Sequence, residues 1–168
     1  MLEGEIDAMS EVPELLERFR RGAELVAVAI TGAAGPELDF KPSPEKWSVR
    51  QIVCHLADTE ATAVVRLRQV LAEDNPTIIP WDQNAWAAHT DYDKRKPSQA
   101  LETMRILRAD NYQLLKDLPP EAWTRTGNHL ERGTLSLADL LRTFSQHAEK
   151  HAAQIGQVRS AYKSSRAK

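Results

Sequence analysis

The clearest start of a helix in the sequence lies in the stretch WSVRQIVCHL, residues 47–56. Ser48 and Gln51 have the spacing of a capping box, in which each side chain bonds to the backbone N–H of the other residue. Apolar residues then recur at helical spacing as far as Leu71, and Asn75-Pro76 ends the segment. The stretch therefore predicts a long amphipathic helix.

Three further segments have the apolar period of a helix that is buried on one face. They cover about residues 10–30, 98–118 and 136–162, and a polar tail that we expect to fray follows at about residues 163–168. Ser136 and Asp139 repeat the spacing of a capping box at the start of the last segment. Four such helices are typical of a helical bundle.

Residues 76–97 form a long connection between the second and third predicted helices. Asp82 can cap a short helix within this connection, and residues 125–135 could hold a short hairpin. We find no sustained strand alternation and no linker. We therefore predict one all-α domain over residues 1–168, an up-and-down four-helix bundle with a long connection between its second and third helices.

Composition excludes several classes of protein. The chain has 168 residues and a formal net charge of −2, so it lacks the excess of positive charge that nucleic-acid binding by a basic surface requires. It has no apolar run of membrane-spanning length, and residues 1–5 do not resemble the start of a secretory signal. The single cysteine, Cys54, cannot form an internal disulfide. We expect a cytoplasmic protein that binds neither nucleic acid nor membrane.

Two histidines lie on the apolar face of the last predicted helix. His147 and His151 are one turn apart, with Phe144 one turn before them and Ile155 one turn after. A buried imidazole must find partners for both ring nitrogens, and a divalent metal ion supplies one for each ring. The other interpretation is a pair of core histidines that bond to carbonyls and carboxylates.

A third histidine can complete a metal site. His55 lies on the second predicted helix beside the apolar residues Ile52 and Leu56. Taken alone it is a boundary histidine, but with His147 and His151 it forms a three-histidine set that projects from two helices into the bundle. Three protein nitrogens leave coordination positions open, which is typical of a catalytic rather than a structural metal site.

Four other residues are weaker candidates for the site. His89 and His129 lie in the two irregular connections, and Asp58 and Glu60 lie near His55. Either carboxylate could orient a ligand imidazole, although an exposed surface charge is the alternative for both.

The segment from His147 to His151 differs from the HExxH motif of zinc proteases, because Ala148 stands where that motif has its glutamate. Glu149 is expected to face solvent, as is Lys150.

The sequence resembles the DinB/YfiT-like superfamily in three segments, which occur in the family's order. Residues 46–58 resemble the entry into the second helix, residues 79–86 resemble a stretch of the YfiT-like branch, and residues 144–155 resemble the closing helix. The similarity covers about residues 10–160. The chain departs from the YfiT-like pattern at Cys54 and Lys150, where that branch often has histidine.

This resemblance implies a four-helix bundle that holds one divalent metal ion on three histidines. Carried over position by position, these are His55, His147 and His151. We expect zinc or nickel, with manganese or iron as alternatives. Many members of the family form homodimers, and we expect the same here.

Two functions remain open at this point. Members of the family are described as metal-dependent hydrolases, and relatives include S-transferases and isomerases that use a thiol such as bacillithiol, mycothiol or glutathione. We therefore expect a metal-dependent enzyme with a small-molecule substrate, either a hydrolase or a transferase that uses a low-molecular-weight thiol. The alternative is a non-catalytic stress protein that binds a metal or a small ligand.

Overall fold

The computed structural model describes residues 10–167, and most of them are helical. Residues 1–5, in which we find no secretory signal, lie outside this range, as does Lys168 of the predicted tail. Four long helices form the bundle and two short helices lie in its connections. In chain order the helices are α1 (Val12–Ile30), α2 (Pro36–Asp39), α3 (Val49–Ala72), α4 (Gln83–His89), α5 (Pro97–Leu115) and α6 (Leu137–Arg166).

The predicted caps set the starts of the helices. The backbone N–H of Gln51 donates to Ser48 Oγ over 3.3 Å, and the backbone N–H of Ser48 donates to Gln51 Oε1 over 3.1 Å. The same box starts α6, where Ser136 and Asp139 exchange bonds of 3.0 and 3.1 Å. Asp82 caps α4 by accepting from two backbone N–H groups. Both capping boxes and the Asp82 cap are therefore confirmed.

The predicted hairpin is present and belongs to a small three-stranded sheet. Strand β2 (Thr126–His129) pairs antiparallel with β3 (Gly133–Ser136), and Gly133 supplies a positive φ of 74° at the turn. Strand β1 (Thr77–Ile78), which we did not predict, pairs in parallel with β2. This pairing ties the long connection to the hairpin before α6.

Helices α1 and α6 run in the same direction along the bundle. Arg142, near the start of α6, donates to Glu11 just before α1 over 2.9 Å. Arg159, near the end of α6, donates to the carbonyl of Ala29 at the end of α1 over 2.6 Å. Helix α1 packs against α5 and α6, and α3 packs against the same two helices, so α1 and α3 occupy opposite corners, as do α5 and α6.

Helices α3 and α5 are also parallel neighbours. Arg50 at the start of α3 donates to the carbonyl of Arg95 just before α5 over 2.9 Å, and Arg68 near the end of α3 donates to Asn111 near the end of α5 over 2.9 Å. The all-α bundle and its long connection are confirmed, but the up-and-down order is wrong. The connection from residue 73 to residue 96 returns the chain to the starting end of α3, which a short turn cannot do.

The C-terminal segment is more regular than predicted. Residues 163–166 of the expected frayed tail belong to α6, where Lys163 and Arg166 place positive charge at the negative end of the helix dipole. Among residues 10–167, no helix combines the length and the apolar content that crossing a membrane requires.

A buried ion pair joins all four long helices. Arg108 on α5 is 2% exposed, and its Nε donates to Glu60 on α3 over 3.0 Å. The same guanidinium donates to the carbonyl of Phe19 on α1 over 2.9 Å and to that of Phe144 on α6 over 3.2 Å. Gly22 leaves room for it, since a Cβ at this position would collide with the guanidinium. The apolar core lies on both sides of this pair, as two separate clusters.

Removal of the α3 cap should destabilise the protein. Ser48→Ala deletes the acceptor for the N–H of Gln51, so the free energy of unfolding in urea should fall by about 0.5–2 kcal/mol. Because His55 lies two turns into the same helix, the variant should also bind a metal ion less tightly. Ser160→Ala, on the exposed face of α6, is the matched control. An unchanged midpoint for Ser48→Ala would contradict this reading of the cap.

Breaking the buried ion pair should have a larger effect. Arg108→Met leaves the Glu60 carboxylate buried without its partner, and we expect a loss of about 3–5 kcal/mol in the free energy of unfolding. The double variant Arg108→Met/Glu60→Met should recover part of this loss, because no charge is then buried. Arg105→Gln, which breaks an exposed pair with Glu102 on the same helix, should change stability little. Equal effects of Arg108→Met and Arg105→Gln would show that the buried pair is not a structural link.

Candidate metal centre

Helices α3 and α6 bring the three predicted histidines together. The Nε2 atom of His147 lies 3.0 Å from Nε2 of His55 and 3.1 Å from Nε2 of His151. The ligating atoms of all three lie within 4.8 Å of one another. His55 is 1% exposed and His151 9% exposed. The capping box sets the position of His55 along α3, and the one-turn spacing on α6 stacks the other two rings.

Two tryptophans enclose His55. The Trp47 ring, which precedes the α3 cap, lies 4.8 Å from the His55 ring between centroids, and the Trp81 ring stacks on His55 at 5.5 Å. Trp47 also stacks over His151 at 6.4 Å. These indoles shield the imidazoles from water on two sides. The long connection supplies Trp81, so its return along the bundle completes the wall.

The ring nitrogens fit a metal ion better than they fit one another. Nδ1 of His151 bonds to Gln154 Oε1 over 2.7 Å, which leaves the Nε2 lone pair of this ring facing His147. A neutral imidazole has only one N–H, so Nε2 of His147 cannot donate to the lone pairs of both other rings. Two nitrogens bound to one metal at ~2.0–2.1 Å lie roughly 3–3.4 Å apart, as these do. The cluster could therefore hold a divalent metal ion.

Burial keeps the three imidazoles neutral. Burial, together with a smaller effect of the positive charge that His151 would carry, lowers the pKa of His55 to about 3 and that of His147 to about 2. Burial also lowers the pKa of His151, against a smaller opposing effect of the Gln154 hydrogen bond. Neutral imidazole is the form that binds metal ions, so no proton has to be displaced near pH 7.

The other two candidate histidines do not join the cluster. His89 is exposed at the end of α4. His129 is 6% exposed in β2, and its Nδ1 accepts from the backbone N–H of Glu131 over 3.2 Å. Sequence reasoning placed both in irregular connections, whereas His129 is a strand residue.

The nearby carboxylates have other partners. Asp58 accepts from Tyr92 and from Arg95, each over 2.8 Å, and so fastens the long connection to α3. Glu60 belongs to the ion pair with Arg108. Neither orients His55, whose Nδ1 has no hydrogen-bond partner among the described residues.

Glu149 also differs from its prediction. It does not simply face solvent but binds both Nε and Nη2 of Arg18 on α1, over 2.8 and 2.7 Å. This pair helps to hold α6 against α1, on the side of the helix away from the histidines.

A cavity of about 640 Å³ opens beside the cluster. His147 and His151 form part of its wall, opposite the amide side chains of Gln83 and Asn84 on α4. Lys150, predicted to be an ordinary surface residue, also lines it. Gln154 and the α4 amides are functional candidates that sequence reasoning missed. Gln154 could have been found from the sequence, because it lies three residues after His151 on the same helix face. No local pattern in the sequence indicates that Gln83 or Asn84 lines the cavity.

Comparison with known proteins places this geometry in a family. The model of the DinB superfamily matches residues 15–155. A protein of Oceanobacillus iheyensis, provisionally named a metal-dependent hydrolase, is 34% identical over 120 residues, which are 71% of this chain and 69% of the relative. YfiT of Bacillus subtilis, with a name of the same kind, is 27% identical over 154 residues, which are 91% of this chain and 81% of the relative.

A solved structure shares the fold. The structure of Bacillus subtilis YfiT matches with a TM-score of 0.82 and 25% identity, over 87% of this chain and 84% of that one. It is described as a probable metal-dependent hydrolase with an unusual four-helix bundle topology. The parallel pairs α1–α6 and α3–α5 give the present chain a helix order that also departs from the simple bundle.

The cluster should bind one divalent transition metal per chain. A metal ion that binds only the folded state stabilises it, by about 2.7 kcal/mol when the free metal concentration is a hundred times Kd. A chelator should therefore lower the melting temperature. Elemental analysis should show the metal lost in His55→Ala, His147→Ala and His151→Ala. His89→Ala and His129→Ala are the controls that should retain it. Full occupancy without any one of the three histidines would show that the ligand set is misassigned.

Lowering the pH should destabilise the metal-free protein. The folded pKa values of His55 and His147 lie below the ~6.5 of the unfolded chain, so below that pH the unfolded state binds more protons. The stability present above pH ~6.5 is then lost by up to about 1.4 kcal/mol per pH unit for each such histidine. Urea unfolding from about pH 7 to about pH 5 measures this slope. His147→Gln should flatten it, and an equally steep slope in that variant would contradict the assignment.

Proposed function

This chain belongs to the DinB superfamily, and on that premise we propose that it is a metal-dependent hydrolase. His55, His147 and His151 would hold the metal ion. The observation that carries the proposal is the convergence of three Nε2 atoms, two of them 3.0 and 3.1 Å from the third, at the wall of an open cavity. The names of the relatives support the reaction class.

A divalent metal ion on three neutral imidazoles supplies Lewis acidity, which activates a water for hydrolysis or a thiol for transfer. The protein positions the imidazoles. Gln154 fixes the tautomer and ring angle of His151 by bonding to its Nδ1. Trp47 and Trp81 cover two sides of the His55 ring and exclude water from them.

The cavity walls supply the contacts for a polar small-molecule substrate. The amides of Gln83 and Asn84 can donate to a substrate carbonyl, and Lys150 places a positive charge near the histidines. Glu45 is an acidic residue in the same wall, and its hydrogen bond with Ser43 lowers its pKa. Glu45 is therefore ionised at neutral pH and adds a negative charge to this wall.

Thiol transfer is the second candidate function, and one observation favours it. Within residues 10–167, no carboxylate hydrogen-bonds to any of the three histidines, so no acid or base touches the centre directly. A thiol, with an ordinary pKa near 8.5, needs far less help to ionise than water does. The proposal also includes a zinc or nickel ion and a cytoplasmic homodimer, which metal analysis and light scattering can test.

Turnover assays separate these functions. Protein reconstituted with zinc or nickel is assayed with activated esters and amides, and separately with a low-molecular-weight thiol plus an electrophile. Hydrolysis that disappears in His147→Ala and persists in His89→Ala supports the hydrolase. Transfer of the thiol with the same dependence supports the second candidate. One metal ion per chain without turnover of either kind would leave the non-catalytic binding protein as the function.

A further inference from the structure

A second groove lies beside the metal centre, between α3 and the segment that follows β1. It has a volume of about 420 Å³, which is within the usual range for a small-molecule site. Trp81 lines this groove and also stacks on His55, so one indole contacts both places. The groove is otherwise separate from the cavity proposed for the substrate: Trp81 and Trp86 line the groove, and Gln83 and Asn84 line the cavity.

Apolar side chains form most of the groove. Val65 on α3 is 55% exposed, Ile79 after β1 is 70% exposed, and Trp86 is 37% exposed. The Trp86 ring packs at 4.5 Å from that of Trp81, which makes a continuous aromatic surface. A contiguous exposed apolar surface next to a binding cavity is characteristic of a ligand site.

Positive charge lies at one end of the groove. Arg66, which lines it, donates from Nη2 to the carbonyl of Ile79 over 2.8 Å. In the adjacent strand β1, Ile78 pairs with His129 of β2. The hairpin turn after His129 carries Arg132, whose Nη2 lies 3.5 Å from Thr143 Oγ1. Arg66 therefore lines the groove, and Arg132 lies close enough for its charge to act on Arg66.

These arginines lack the partners that other arginines have. Ten arginines of the described residues form ion pairs with carboxylates within 4.0 Å, and Arg66 and Arg132 are not among them. Burial and the charge of Arg132 lower the pKa of Arg66, and burial and both arginines lower that of His129. Glu131 acts on His129 in the opposite direction without pairing with either arginine. Crowded positive charge without a counter-ion favours the binding of an anion.

We propose that this groove binds a small organic carboxylate with an apolar body. The carboxylate would accept hydrogen bonds from Arg66, whose planar guanidinium matches two carboxylate oxygens, and Arg132 would add to the attraction. The apolar body would lie on Val65, Ile79 and the two indoles. The inference goes beyond the proposed hydrolysis and does not depend on the metal ion, because none of the contacts involves it.

Titration with 4-phenylbutyrate tests the proposal. The control is 4-phenylbutan-1-ol, which has the same apolar phenylbutyl group but no carboxylate. Calorimetry on metal-free and metal-loaded protein gives the affinity, and quenching of tryptophan fluorescence reports occupancy beside Trp81 and Trp86. The acid should bind with Kd near or below about 1 mM, and the alcohol about tenfold or more weakly. Binding should be the same with and without metal.

Variants locate the bound carboxylate. Arg66→Gln should weaken acid binding about tenfold and leave alcohol binding unchanged, and Arg132→Gln should weaken acid binding less. Because Arg66 also holds the carbonyl of Ile79, Arg66→Lys retains the charge and should restore part of the affinity. Arg21→Gln, an exposed arginine on α1, is the matched control and should bind the acid like the parent protein.

Three results would overturn the proposal. The first is no binding of the acid, and the second is equal binding of acid and alcohol. The third is a parent protein that is a dimer in light scattering and does not bind 4-phenylbutyrate, together with an Ile79→Asp variant that is a monomer. A second copy of the chain would then cover the groove.

Discussion

The buried pair of Arg108 and Glu60 is the contact on which the arrangement of the helices depends. The Arg108 guanidinium on α5 binds the Glu60 carboxylate on α3 and the backbone carbonyls of Phe19 on α1 and Phe144 on α6. All four long helices therefore contact this one group. An arginine so deeply buried requires every one of these acceptors, because an unmatched donor or charge in an apolar core is costly. The attraction within the apolar clusters on either side is not directional, whereas the hydrogen bonds of this pair require a defined geometry.

The histidine cluster benefits from that fixed position. Phe144, whose carbonyl Arg108 binds, lies one turn before His147, and Glu60 lies five residues after His55 on the same helix. The separation of α3 and α6 is therefore set within about two turns of the nitrogens that must converge. A catalytic constellation needs such support, since small displacements of its members weaken binding and reaction alike.

Local features of the fold and site were predictable from sequence, and features that join distant segments were not. The Ser48–Gln51 box and the His147–His151 stripe depend on spacings of three and four residues, which the sequence shows directly. The Arg108–Glu60 pair joins positions 48 apart, and a fully buried arginine looks like any other charged residue in a helix. Helix order also escaped prediction, because an amphipathic stripe shows which face is buried but not which neighbour covers it.

The same limit explains the parts of the site that were missed. The aromatic wall at Trp81 and the amides of Gln83 and Asn84 lie on the long connection, and its path back along the bundle follows from β1 pairing with β2. That pairing joins Ile78 to His129, far along the chain. No periodicity in residues 76–97 records it.

The parallel pairing of β1 with β2 also bears on the order in which the molecule assembles. The pairing closes a loop of about fifty residues, which carries an entropic cost that local helical contacts do not have. Helix α3 can form from local contacts, so His55 is in place before the segment that carries Trp81 is anchored. We therefore expect the indole wall to close late in folding, and one side of His55 to be open to solvent until it does.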